Sequence, residues 1–274
     1  MIEPMMTPQK QFTTGAYGRY RRRFRSIDGW IDRLTADILY TLSFDQTAMG
    51  CRGGIVEIGV HHGKSFLPLY LGLDQGQVAL AIDVFEDQLL NLDGSGRGDR
   101  DRFLENVRQV SGSLEGVELL TASSLDIKPA DIVRRVQSPR IFSIDGGHTS
   151  AITKNDLLLA NDVIAEDGVV ILDDLYNPMW PGVLSGFLEA SRMAEFQLVP
   201  FAIIPGKVLF ARSNATAGYK CWLTKVFGGW CDFEKGAFGV EVLGVGVNGY
   251  SGTRAFKTSP LGFALKSVLR VFRG

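Results

Sequence analysis

Cysteine is scarce: three residues in 274, Cys51, Cys221 and Cys231, with no CxxC spacing among them. That argues against a disulfide framework or a thiolate zinc site and fits a reducing, cytoplasmic setting. Charge of one sign is lacking too. The net charge of −1 gives no overall field for nucleic acid or an anionic membrane, so no nucleic acid partner is expected. No run approaches the ~18 uncharged apolar residues that span a bilayer, and no transmembrane segment is expected. The opening MIEPMMTPQK has no apolar stretch of signal-peptide length. The glycines of the loop at 59–65 follow neither of two phosphate-binding signatures, G-x-G-x-x-G and G-x-x-x-x-G-K-[ST].

What remains is an ordinary globular composition, 45% hydrophobic and 22% charged. Two stretches depart from it. RYRRRFR at Arg19–Arg25 is strongly basic, and the last 25 residues hold five cations and no acid. Each reads as a solvated face, or else as contact with an acidic partner or a second copy in a homo-oligomer. Apolar residues at Ile27, Trp30, Ile31, Leu34, Ile38, Leu39 and Leu42 carry helical spacing over 27–42. Thereafter strands and helices alternate. Strands are predicted at 55–58, 78–82, 117–120, 141–144 and 169–172, with helices at 65–73, 102–110, 130–136 and 153–164 between them. Strands apolar throughout, separated by helices, signal a parallel sheet covered on both faces. After a helix near 183–193, two further strands flank Pro205-Gly206, a turn that implies an antiparallel hairpin. Beyond Ser213 the pattern weakens into aromatic residues and glycines, with a small strand within 239–246 and a basic amphipathic helix over 261–272. The chain divides on this reading into a basic segment and capping helix (1–50), an α/β unit (51–213) and an accessory segment (214–274).

Ligands of open α/β sheets bind beyond the carboxyl ends of the strands, so the loop after the first strand matters most. It reads Glu57-Ile-Gly59-Val-His61-His62-Gly63-Lys64-Ser65. Gly59 removes a Cβ that would obstruct a ligand across the strand end. Gly63 permits tight entry into a helix whose first amides, around Ser65, can meet a carboxylate. Glu57 suits a cationic ligand, directly or through water. A plain strand-to-helix turn would look similar from this loop alone. The second strand ends at Asp83, 26 residues after Glu57, where a carboxylate can accept from both hydroxyls of a ribose. The third leads into Thr121-Ala-Ser123-Ser124, whose amides and hydroxyls could reach an adenine.

EIGVHHGKS, AIDVFEDQ, FSIDGGH and GVVILDD resemble the successive motifs of class I S-adenosylmethionine-dependent methyltransferases. More narrowly they resemble the group near the macrocin O-methyltransferases and cephalosporin-hydroxylase-like proteins, over about residues 53–212. The resemblance implies a Rossmann-like methyltransferase fold, a mostly parallel seven-stranded sheet with a terminal antiparallel hairpin. It implies S-adenosylmethionine held by Glu57, Gly59, Gly63, Ser65, Asp83, Ser123, Ser124 and Asp145. The acceptor would be a small molecule or glycan, with a sugar or natural-product hydroxyl as the reacting group. A nicotinamide dehydrogenase fits the glycine spacing and the hairpin less well, and a non-catalytic binding protein is the third alternative.

Asp145 and Asp173-Asp174 end neighbouring strands, so three carboxylates should converge beside the cofactor. Clustered carboxylates repel unless protonated or neutralised, and a hard divalent cation such as Mg²⁺ is a usual solution. Metal-dependent relatives place their ligands at these strand ends, which implies Asp145, Asp173 and Asp174 here. Alternatively the aspartate pair caps a helix or forms a polar turn, and transfer proceeds without metal. His148 is the candidate general base, because an alcohol is a poor nucleophile until its proton is removed. The catechol-type relatives carry lysine at that position, a departure that leaves the role open. His61 and His62 contact a ligand or pack their loop. Gln88–Gly98 resembles a lid, and Trp180 either stacks on an acceptor ring or fills the core.

Overall fold

The computed structural model describes residues 12–250. The basic helix predicted over 261–272 lies outside them. Nine strands form one sheet: β1 (Ile55–Ile58), β2 (Ala79–Asp83), β3 (Val117–Thr121), β4 (Ile141–Ile144), β5 (Val169–Asp173), β6 (Leu198–Ile204), β7 (Lys207–Arg212), β8 (Cys231–Ala237) and β9 (Val240–Val245). Their order is β3-β2-β1-β4-β5-β7-β6-β9-β8. The first five pair in parallel; β7 enters antiparallel to β5, with Asp173 directly opposite Lys207. The accessory segment was expected to hold one small strand. It instead supplies the β8–β9 hairpin, with β9 running parallel to β6, so the sheet has nine strands rather than seven.

The helices are α1 (Gly15–Arg23), α2 (Arg33–Ala48), α3 (Phe66–Tyr70), α4 (Arg100–Ser111), α5 (Pro129–Val136), α6 (Ser150–Val163), α7 (Pro181–Ala190) and α8 (Ser213–Phe227). One sheet face packs on α1–α4 and α8 through residues such as Ile38, Phe66, Phe103, Ile171 and Trp222. The other packs on α5–α7 through Val56, Ile132, Phe142, Leu157 and Phe187. Each such side chain stabilises the fold by about 1.5–3 kcal/mol when fully buried.

The helix predicted over 27–42 starts later, at Arg33. Asp32 is its cap, accepting from the Thr35 amide at 2.8 Å, while Gly29 (φ 142°) breaks the chain before it. Residues 24–32 become a linker that crosses the carboxyl edge of the sheet. The basic run forms α1, and part of its charge has an internal use. Arg19 donates to the carbonyl of Val110 at 2.7 Å, at the carboxyl end of α4, and Arg21 lies 3.4 Å from Asp37. Arg22 and Arg25 remain exposed.

Arg140, fully buried at the entry to β4, ties α2 to the sheet. Its guanidinium donates to the Ser43 carbonyl and Gln46 Oε1 (both 2.9 Å), to Thr47 Oγ1 (2.6 Å) and to the Gly53 carbonyl (3.2 Å). Burial among neutral oxygens pulls its pKa down to about 10. Arg140→Met leaves several buried acceptors unpaired, each costing about 1–3 kcal/mol. Urea unfolding should therefore show a loss of about 3 kcal/mol or more; an unchanged midpoint would contradict this account of α2 docking.

Candidate active site

A cavity of about 530 Å³ opens at the carboxyl ends of β1, β2, β4 and β5, where the strand order reverses between β1 and β4. Its wall includes Gly59, Ser65, Asp83, Ser123, Ser124, Asp145, His148, Asp173 and Asp174. Most of the residues singled out in the sequence thus meet in one place. Glu57 and Gly63 do not reach its wall. Gly63 (φ 86°) lies against Phe103, where an added Cβ would sit 3.1 Å from the ring, so its small size serves packing. Ser65 precedes a helix of only five residues, too short for a strong terminal field.

Gly59 (φ 80°) allows two strand-end loops to touch, since a Cβ there would fall 1.8 Å from the carbonyl oxygen of Asp145. The carboxylate of Asp83 is aimed by two backbone amides: His61 N–H donates to Oδ2 at 2.8 Å and Phe85 N–H to Oδ1 at 2.7 Å. Ser123 and Ser124 border the adjoining part of the cavity, where Ser123 and the Leu125 amide close a short turn. The His61 ring stacks on His62 (centroids 3.9 Å apart) and lies tilted against Trp30 of the 24–32 linker (5.1 Å), and burial lowers its pKa. His61 and Trp30 line the cavity, whereas His62 turns away toward Asp28, 3.6 Å distant.

The acidic strand ends hold a residue that sequence reasoning missed. Lys207, 1% exposed, extends its ammonium to Asp173 Oδ2 in a short ion pair and lies 3.6 Å from Asp145 Oδ2. Burial alone would lower its pKa, but the carboxylates of Asp173 and Asp145 outweigh that and hold it raised. Beneath it Glu57 is fully buried and accepts from Ser143 Oγ at 3.0 Å. Burial pushes Glu57 up to about 7, against the pull of the Lys207 charge. Asp145 is raised well above the usual carboxylate range by burial and by the neighbouring Asp173. A lysine opening the otherwise apolar run VLFA was the available signal.

The geometry therefore divides the expected metal set. Asp173 is engaged by Lys207, while the ligand atoms of Asp145, His148 and Asp174 lie within 4.8 Å of one another. His148 sits between two carboxylates: Nδ1 is 2.8 Å from Asp93 Oδ2 and Nε2 is 3.2 Å from Asp174 Oδ2. Burial lowers the imidazole pKa, but these two partners outweigh it and the net shift is upward. Asp174 itself adopts φ 59°, and its Oδ1 accepts from Asn177 Nδ2 at 2.8 Å. Trp180 stacks on the His148 ring at 4.2 Å, and it both borders the cavity and packs against the core. The segment 88–98 covers the cavity with Leu90, Leu92, Ser95 and Gly96.

Residues 56–175 match the family described as a methyltransferase domain. Among solved structures, that of the O-methyltransferase NovP is similar with a TM-score of 0.53 and 17% identity, covering 65% of this chain and 78% of that one. The O-methyltransferase of Bacillus cereus in complex with SAH gives 0.51 at 15% identity, covering 77% and 100%. The SAH-bound methyltransferase PaMTH1 of Podospora anserina gives 0.52 at 11% identity, covering 78% and 99%. At such identities the likeness speaks for the fold. No curated protein sequence matches the chain.

Lys207→Met should cost about 3–5 kcal/mol at neutral pH, because it strands buried carboxylates without their cation. The pKa values of Glu57 and Asp145, already raised, then rise further, so the loss shrinks as pH falls and they protonate. Urea midpoints of wild type and variant should converge toward pH 4.5. Equal losses at pH 4.5 and pH 8 would contradict the neutralising role.

Proposed function

We propose that this chain is a class I methyltransferase that transfers a methyl group from S-adenosylmethionine to the hydroxyl of a small-molecule or glycan acceptor, a reading supported by the methyltransferase-domain match and the sheet order. The observation that carries the reading is the placement of His148. Its ring lies at the edge of the same cavity that Asp83, Gly59 and Ser123-Ser124 border, which supports reading a ribose-binding carboxylate and a basic nitrogen in one space.

S-adenosylmethionine, when bound, supplies a methyl group made electrophilic by the sulfonium. The residues of the chain account for the rest. Asp83, already oriented by the His61 and Phe85 amides, accepts from the ribose hydroxyls. Ser123 and Ser124 border the adenine region. Gly59, Ser65 and Asp145 border the region for the amino acid portion. Glu57 and Gly63 act from outside the cavity, the first through Ser143 and Lys207, the second through Phe103. Asp145 and Asp174 favour cationic charge at the reacting end of the site. His148 Nε2 takes the hydroxyl proton as the oxygen gains the methyl group and the carbon–sulfur bond breaks toward a neutral thioether; the proton leaves afterwards to water.

A second reading has its own support, the closeness of Asp145, His148 and Asp174. These three residues would hold a divalent cation, Mg²⁺ or, given the imidazole, a softer ion such as Mn²⁺. The cation would polarise the acceptor hydroxyl. It would also occupy His148 Nε2, so the two roles exclude each other.

Transfer of labelled methyl to a panel of glycosides and phenols tests the activity, and no product from any oxygen acceptor would overturn it. His148→Ala should lower kcat by ~10²–10⁴-fold with S-adenosylmethionine affinity retained. Asp83→Ala should weaken that affinity roughly 10–100-fold by calorimetry. Turnover that survives EDTA favours His148 as base; turnover abolished by EDTA and restored by Mn²⁺ or Mg²⁺ favours the cation.

A further inference from the structure

Asp93 belongs to the glycine-rich segment 88–98, 55 positions before His148, yet its carboxylate is 9% exposed and meets the loop after β4. Oδ2 accepts from the backbone N–H of His148 in a short bond and faces Nδ1 of the same residue at 2.8 Å. Oδ1 accepts from the Ser95 amide (2.9 Å) and the Ser95 hydroxyl (2.6 Å), so the carboxylate is fixed by its own segment. That segment is braced internally. Asn91 Nδ2 donates to the Ser95 carbonyl at 2.8 Å and to Gln88 Oε1 at 2.9 Å, and Gln88 Nε2 donates to the Phe85 carbonyl at 2.7 Å. Gly147 leaves the landing surface bare. A Cβ at that position would lie 3.7 Å from Asp93 Oδ2 and 2.6 Å from Ile152 Cδ1.

An ionised carboxylate only accepts, so the nitrogen facing it carries a hydrogen. Nε2 faces Asp174 Oδ2 at the longer distance of 3.2 Å, so of the two nitrogens Nδ1 keeps its hydrogen when His148 is neutral, and Nε2, toward Asp174 and the cavity, is the one that gives its proton up. The Trp180 face at 4.2 Å restrains the ring from turning over. We infer that Asp93 is a positioning residue for His148: by docking segment 88–98 onto the β4 loop it sets the tautomer and direction of the imidazole. The basic nitrogen is then assembled only while the segment lies over the cavity. Chemistry is in this way coupled to enclosure of the acceptor. The kinetic part of this inference rests on reading His148 as the base.

Two measurements on the full chain test it. The chain has three histidines, so ¹⁵N spectra of histidine-labelled protein at alkaline pH resolve His148 once His148→Ala identifies its signals. Wild type should show the Nδ1-protonated form, and Asp93→Ala should lose that preference. Asp93→Asn, which keeps the shape and one acceptor, should retain part of it. In labelled-methyl assays Asp93→Ala should lower kcat roughly 10–100-fold while the KM for S-adenosylmethionine stays put. It should add nothing further in a His148→Ala background, because it acts through that residue. A tautomer unchanged in both Asp93 variants overturns the proposal. So does a full additional loss in the double variant, which would mean that Asp93 acts elsewhere. If His148→Ala turns over like wild type, the base reading falls. The tautomer spectrum alone then decides whether Asp93 orients the ring.

Discussion

A buried sheet edge that gathers Glu57, Asp145 and Asp173 within reach of one another is unstable unless something positive stands among them. In this chain the positive group is covalently part of the sheet. The antiparallel entry of β7 places Lys207 opposite Asp173, on the same face, with the ammonium between the strand ends of β4 and β5. Removed from water, such a group is costly alone, and so are the carboxylates; together they offset each other. The rest of the site depends on that balance. Asp145 and Asp173 can border the cavity because their shared counter-charge lies beneath it, and Asp174 is free to face His148 instead of a neighbouring acid.

How much of this was legible in the sequence follows from the range of the forces involved. β1 and β4 are buried on both faces, mostly apolar and flanked closely by glycine or proline, so local pattern sufficed to place them. The glycine loop, Asp83 and the strand-end aspartates were found because a parallel sheet delivers successive loops to one edge. The same double-sided burial hid the direction of Glu57: in a strand covered on both faces, alternation does not say which side a residue faces. The start of α2 was misplaced because Ile27 and Trp30 continue the helical spacing by chance. The backbone there is set instead by Gly29 and the Asp32 cap. Lys207 and Asp93 escaped notice for one reason. Their partners lie 34 and 55 positions away, brought close only by strand register in one case and by a docked loop in the other.

The flanking regions turn out to be built into the α/β unit. The linker between α1 and α2 contributes Asp28, Gly29, Trp30 and Ile31 to the cavity wall, so residues before the first strand help define the ligand space. Lys64 fastens that linker, donating to the Gly29 carbonyl at 3.1 Å and lying 4.6 Å from the centroid of Phe24. Thr35 donates to the carbonyl of Pro205 at 2.9 Å, joining α2 to the turn that introduces Lys207. The segment before the sheet and the β6–β7 turn therefore both border the cavity.

The added β8–β9 hairpin has a further effect that concerns the molecule's dealings with its own copies. Without it the last strand of the sheet would be β6, whose sequence LVPFAII is apolar from end to end. A strand of that kind with open amides and carbonyls is a template on which other chains can grow. The hairpin covers it and substitutes β8, where Asp232, Glu234 and Lys235 occupy the outermost row. Like and unlike charges spaced along an edge repel or misalign an incoming strand. Among the described residues β8 thereby ends the sheet, with charged side chains along its edge in place of the apolar run of β6.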